Sequence, residues 1–173
     1  MPSYWLMKSE PDECSITDAA NAPDRRVPWI GVRNYQARNF MRDQMRAGDG
    51  VLFYHSSCAE PGVAGLAEVA GPAYDDASQF DAKSPYFDPK SDPAKPRWQH
   101  VDVRHLATTP LLSLKDMRAR PELASMQLLK PGSRLSITPV TPAEWDAVIA
   151  ALLQLGADPA IAHLVKPSAG ASA

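Results

Sequence analysis

Four consecutive apolar residues, Tyr4-Trp5-Leu6-Met7, run directly into Lys8-Ser9-Glu10-Pro11. A short apolar run without polar alternation predicts a first strand buried on both faces. A strand that ends in charge and proline stops at a rim of the fold, where functional groups concentrate. A second polar knot lies at Trp29-Ile30-Gly31-Val32-Arg33-Asn34-Tyr35-Gln36-Ala37-Arg38-Asn39. It puts an aromatic, a glycine, amides and guanidiniums into one strand-to-helix junction, which is recognition chemistry more than a core needs. The two knots are expected to share one pocket.

Further elements follow from spacing. Ser15-Ile16-Thr17-Asp18 carries the reciprocal capping spacing for a short helix through Ala20, and Asn21 to Pro28 reads as loop. Ala37, Met41 and Met45, with Phe40 beside them, form the apolar stripe of a helix over Asn34 to Arg46, which Gly48 ends. Arg38, Arg42 and Arg46 share its other side, read as a solvated face in preference to a phosphate track. Val51 to His55 and Val63 to Val69 are strands. Trp98 to Arg104 alternates, with Val101 and Val103 on one face and Trp98, His100, Asp102 and Arg104 on a polar one. Ser113 opens a short helix that Arg120-Pro121 interrupts, with another turn over Glu122 to Leu128. Arg134 to Val140 returns to strand. Thr141-Pro142-Ala143-Glu144 supplies an N-cap, a first-turn proline and a reciprocal glutamate for a final helix, with Trp145, Val148, Ile149, Leu152 and Leu155 as its buried stripe and Gly156 at its end. Short strands with interspersed helices and no alternating repeat argue for an α+β domain around a curved or closed sheet.

A chain of 173 residues suits one domain. Residues 1–156 are expected to form it, with 157–173 as a partly disordered C-terminal extension whose Pro, Ser, Gly and Ala beyond Val165 bury little. Eighteen basic and twenty acidic side chains give a net charge of -2, so nucleic-acid contact must be local. Of seventeen prolines, five fall in Gly71 to Arg97, a segment too long and polar for an ordinary connection. Cys14 and Cys58 have no pairing spacing and are read as reduced thiols. With neither a signal nor a spanning segment in the sequence, a cytoplasmic location without membrane contact is expected. His100 and His105 are five apart on a strand and face opposite ways, so no metal and no cofactor are expected.

Seven blocks in order, Tyr4 to Pro11, Trp29 to Asn39, Leu52 to Ser56, Gly65 to Val69, Asp81 to Lys90, Pro96 to Trp98 and Arg134 to Ser136, resemble the EVE domain family. The similarity runs from Tyr4 to about Leu153. It implies a PUA-like mixed β-barrel with flanking helices, akin to YTH domains. It also implies a reader that takes a flipped modified base into an aromatic cage, chiefly a modified cytosine in DNA, with DNA favoured over RNA. A monomer is expected.

Carried over by residue, Lys8 and Ser9 correspond to the pocket wall, Trp29 and Trp98 to cage aromatics, and Val32 and Asn34 to the cavity lining, with Ser56 on the loop after His55. Asn34 serves equally well as the cap of the helix that follows. Arg33, Lys83, Tyr86 and Arg97 are candidates for flanking or phosphate contacts, and the Asp81 to Tyr86 segment for a lid. Two alternatives stay open. One is a hydrolase of a modified nucleoside of the ASCH type, with Lys8 and Glu10 as base and acid. The other is an RNA-binding PUA-like module, which the 2′-hydroxyl would distinguish.

Overall fold

The computed structural model describes residues 3–165. Its main sheet is built from β1 (Tyr4–Ser9), β2 (Arg26–Pro28), β3 (Gly50–His55), β4 (Gly62–Val69), β7 (Asp102–Ser113) and β8 (Ile137–Val140), in the order β2-β7-β4-β3-β1-β8. A separate two-stranded ribbon joins β5 (Tyr74–Asp75) to β6 (Gln99–His100). Only β1 and β3 run parallel; every other pairing in the main sheet is antiparallel. The α+β class holds, but the sheet stays open with β2 and β8 as free edges, so the expected barrel is not formed. Pro139 sits on the β8 edge opposite Trp5. Lys8 donates its backbone N–H to Ser136 O at 2.8 Å, so along β8 the even-numbered residues face β1 and the missing N–H of Pro139 points outward, at no cost to the ladder.

Side chains alternate between two cores. Leu6, Leu52, Tyr54, Val63 and Leu66 enter one, and Trp5, Met7, Val51, Phe53 and Ala67 the other. This is why the first strand is apolar throughout. The first core is closed by α3 (Leu114–Arg118) and α4 (Pro142–Gln154), with Tyr4 stacked on Trp145 at 4.6 Å. The second is closed by α1 (Ile16–Asn21) and α2 (Tyr35–Asn39). At Gly65 a β-carbon would stand 2.6 Å from Ile16 Cδ1, so glycine lets α1 lie against the sheet.

Both capping boxes form: Ser15 with Asp18, and Thr141 with Glu144. Along α4, Trp145, Val148, Ile149 and Leu152 are buried, each contributing about 1.5 to 3 kcal/mol relative to exposure. Leu155 is not part of that stripe; it caps the helix and is 37% exposed, while Ala151 packs inward. The α2 helix passes at Phe40–Gln44 into one wider turn, closed by Met45 N to Phe40 O at 2.9 Å. Ala37, Met41 and Met45 remain buried through it.

Other departures have local causes. β2 arises in the stretch read as loop because β7 offers it an edge. The strand read as ending at Arg104 continues to Ser113, absorbing Pro110 where the register against β4 shifts. The polar face expected at Trp98 and His100 is itself buried, since both side chains are at most 5% exposed. Past residue 156 the chain still packs on the domain, with Ala157 and Ile161 in the first core. The disordered tail expected beyond Val165 lies outside the described residues.

Candidate functional site

Parallel pairing of β1 and β3 puts their C-terminal ends, Ser9 and His55, side by side. The antiparallel β8 brings its entry segment to the same rim. Two backbone hydrogen bonds lock the three together, Ser56 N to Ser9 O at 3.0 Å and Lys8 N to Ser136 O at 2.8 Å. Above this rim opens a cleft of about 970 Å³, lined from both polar knots by Lys8, Ser9, Glu10, Trp29 and Val32 and from the loop after β3 by Ser56, with Tyr86 and Arg134 closing its sides. Its volume is at the upper end of ordinary small-molecule sites.

Trp29 is the aromatic wall. It is 7% exposed, meets Phe53 edge to face at 5.3 Å, and is fixed through its backbone N–H to Val101 O at 3.0 Å. No group among the described residues accepts from its indole N–H, and that atom is not among those sealed from solvent without a partner. Gly31 follows with φ of 83° and donates its N–H to Asp76 at 2.9 Å. The Tyr86 ring packs on Gly31, and the Tyr86 hydroxyl donates to Glu13. Burial first, and that bond second, push the phenol up to about 12. Through Tyr86, the Gly71 to Arg97 segment covers one side of the cleft.

Arg33 stitches this cover down. Nε and Nη2 both donate to Tyr86 O, Nη1 to Val32 O and Asp76, and Nη2 to Ser78. All five of its N–H groups are engaged within the protein, which leaves none for a phosphate. The guanidinium expected at flanking contacts is thus engaged by Tyr86, Val32, Asp76 and Ser78 in this structure. Asp76 is 1% exposed. Burial pushes its carboxyl up, but hydrogen bonds from Ser78, the Gly31 N–H and Arg33 outweigh that and hold it below the usual carboxylate range.

Of the residues singled out in the sequence, Lys8, Ser9, Trp29, Val32, Ser56, Arg33 and Tyr86 meet at the cleft; Asn34, Trp98, Lys83 and Arg97 do not line it. Asn34 caps α2, its side-chain oxygen accepting from Ala37 N at 3.0 Å. Trp98 is buried under the cover, with Nε1 donating to Asp88 at 2.7 Å and Tyr35 stacked on it at 4.8 Å. It is therefore no cage wall. Lys83 is exposed, its N–H turned to Asp81. Arg97 stands beside Trp98 and lends its carbonyl to Arg38.

The structure adds Arg134, Ser136, Glu13 and Cys14 to the lining. The antiparallel partner of β1 carries the first two to the rim, a long-range pairing that no local spacing announces. Lys8 is half-buried, burial lowers its pKa, and no ion pair among the described residues includes it. A bridge to Glu10 is not formed. Ser9 donates to Cys14 O at 2.7 Å, leaving its oxygen lone pairs for a ligand. Nε2 of His55 accepts from Ile16 N at 3.0 Å, and burial lowers the pKa of the ring. The cleft thus offers the Trp29 indole with its N–H, the serines Ser9, Ser56, Ser57 and Ser136, an ammonium without an ion pair among the described residues and the Arg134 guanidinium. Such a set can hold a flat polar ring and an adjacent anion.

Comparison with known proteins identifies the family of the fold. The model of the EVE domain matches residues 3–151. Human thymocyte nuclear protein 1 is 40% identical over 166 residues, which span 86% of this chain and 73% of the human one. A crystal structure of that human protein in complex with 5-methylcytosine-containing DNA superposes with a TM-score of 0.82 at 38% identity, covering 86% of this chain and 96% of the other. A hypothetical protein from Leishmania major superposes at 0.85 with 46% identity, covering 90% and 97%. From its rim cleft to its capped final helix, the chain belongs to the EVE domain family.

Proposed function

We propose that this chain is a DNA-binding reader of methylated cytosine that takes the base, turned out of the stack, into the rim cleft. The observation that carries the reading is the human relative in complex with 5-methylcytosine-containing DNA, at 38% identity and near-complete coverage. The cleft chemistry supports it. Extruding a base costs a few kcal/mol, and stacking on an aromatic returns about 1 to 3 kcal/mol. Trp29 provides that face, while its indole N–H and the Ser9 and Ser56 hydroxyls meet the polar edge. With Arg33 fully engaged, Lys8 and Arg134 are the cations left at the rim for the flanking phosphates.

Fluorescence anisotropy with one oligonucleotide sequence carrying cytosine, 5-methylcytosine, 5-hydroxymethylcytosine or N6-methyladenine tests the reading, with a matched RNA as competitor. The expected order puts 5-methylcytosine first, by a modest factor, since one methyl in a pocket is worth only ~1 to 3 kcal/mol. Trp29→Ala is expected to abolish the preference. Equal affinity for all four strands, or release of an altered base or nucleoside on incubation, overturns it.

A further inference from the structure

One guanidinium separates the cleft wall from a second aromatic feature. Arg33 Cζ lies 5.7 Å from the centroid of Tyr86, which lines the cleft, and 5.3 Å from that of Trp98, which does not. Trp98 is held immobile: its indole N–H goes to Asp88, its backbone N–H to Gln79 Oε1 at 3.1 Å, and its carbonyl accepts from Gln79 Nε2 at 2.9 Å. On it lies Tyr35, with centroids 4.8 Å apart and planes 18° from parallel. Tyr35 is nevertheless 51% exposed.

The position of Arg38 explains how both can hold. Its Cζ is 4.7 Å from the Tyr35 centroid and 5.9 Å from that of Trp98. With the two rings themselves 4.8 Å apart, Arg38 lies as close to Tyr35 as Trp98 does and farther from Trp98. Arg38 therefore stands over the Tyr35 ring beside the stack, and about half of Tyr35 still stays exposed. Arg38 gives Nε and Nη2 to Asn39 and one Nη1 N–H to Arg97 O. Two of its five N–H groups are left over. The Arg97 side chain joins no ion pair among the described residues.

A lone exposed aromatic is ordinary. This one is pre-stacked on a fixed indole, stays half exposed and has beside it an arginine with spare donors. Those are the parts of a single-strand nucleic-acid platform, a flat π surface for the base and a positive charge for its phosphate. Pre-stacking also removes rotamer freedom that binding would otherwise have to freeze.

We infer that Tyr35 is a stacking platform for an unpaired nucleobase flanking the recognised one, with Arg38 and Arg97 on the adjoining phosphate. The inference rests on the nucleic-acid reading above and adds a contact that is blind to methylation and requires an unstacked base. The test compares Tyr35→Ala, Tyr35→Phe and Trp29→Ala for binding to single-stranded and duplex oligonucleotides, with and without 5-methylcytosine. Tyr35→Ala is expected to weaken single-strand binding about tenfold, by the same factor with and without the methyl, while Tyr35→Phe binds as the parent does. A 2-aminopurine placed beside the methylcytosine is expected to be quenched by the parent and by Tyr35→Phe, but not by Tyr35→Ala. Should the alanine variant melt early, Tyr35→Leu covers Trp98 without a π face and gives the same readout. Unchanged affinity of the non-aromatic variants for every oligonucleotide, as a protein-docking role for this ring would give, overturns the inference. Loss of methyl preference in Trp29→Ala with no effect at Tyr35 removes the platform and keeps the reader. The reverse pattern keeps the platform and removes the reader.

Discussion

The ring of Tyr86 rests on Gly31 so closely that a β-carbon at position 31 would stand 2.6 Å from two of its atoms. The ring cannot swing aside freely, because its hydroxyl is tied to Glu13. Gly31 also holds φ of 83°, where a side chain adds strain. Gly31→Ala is expected to cost about 2 kcal/mol or more and to loosen the cover over the cleft. Urea denaturation measures the first effect, and hydrogen exchange over residues 76–88 the second.

Asp49, 2% exposed, accepts from Trp5 Nε1, Ser3 N and Arg46 N, each at 3.0 Å. Replacing it with alanine strands the buried indole N–H. Asp49→Ala is expected to cost about 3 kcal/mol, chiefly from that unsatisfied donor, whereas Trp5→Phe combined with it is expected to cost less than the sum of the two single changes. A double-mutant cycle by chemical denaturation checks both.

Acid stability is tied to Asp76. Its folded carboxyl sits below the unfolded value of 3.8, so the stability it contributes is fully present above that pH and is lost as the pH falls through the folded value. Asp76→Asn is expected to lower stability at neutral pH and to flatten its decline below about pH 4. Thermal melts between pH 2 and pH 6 provide the comparison; parallel curves for the two proteins would contradict this account.

Lys8 carries an ammonium without a carboxylate partner among the described residues and lines the cleft. If it neutralises a phosphate, Lys8→Gln reduces the slope of log K against log salt by about 0.9 on duplex DNA. Preference for the methylated base is expected to persist, because a phosphate contact carries no base information. Titrations at several salt concentrations measure both.

How much of this was legible depended on where each residue finds its partners. The Thr141-Glu144 capping box closes within four residues, as does the Ser15-Asp18 box, and the sequence spacing identified both. The charged end of β1 marked the rim because an apolar run must stop where the sheet does. The surroundings of Arg33 and Trp98 were not legible for the opposite reason. The guanidinium is consumed by Asp76, Ser78 and Tyr86, more than forty positions away, and the indole is tied to Asp88 and covered by Tyr35 from the distant α2. The open sheet had a related cause. Alternation shows which face of a strand is buried, but it does not show whether the edges β2 and β8 meet.

The proline on β8 carries a final consequence. A free edge invites another chain to extend the ladder, and β8 lies immediately after the segment that brings Arg134 and Ser136 to the cleft. At Pro139 an incoming strand would find no donor where its own carbonyl needs one. Growth of the sheet is discouraged beside the place where a ligand must enter, and the doorway stays clear without a helix to guard it.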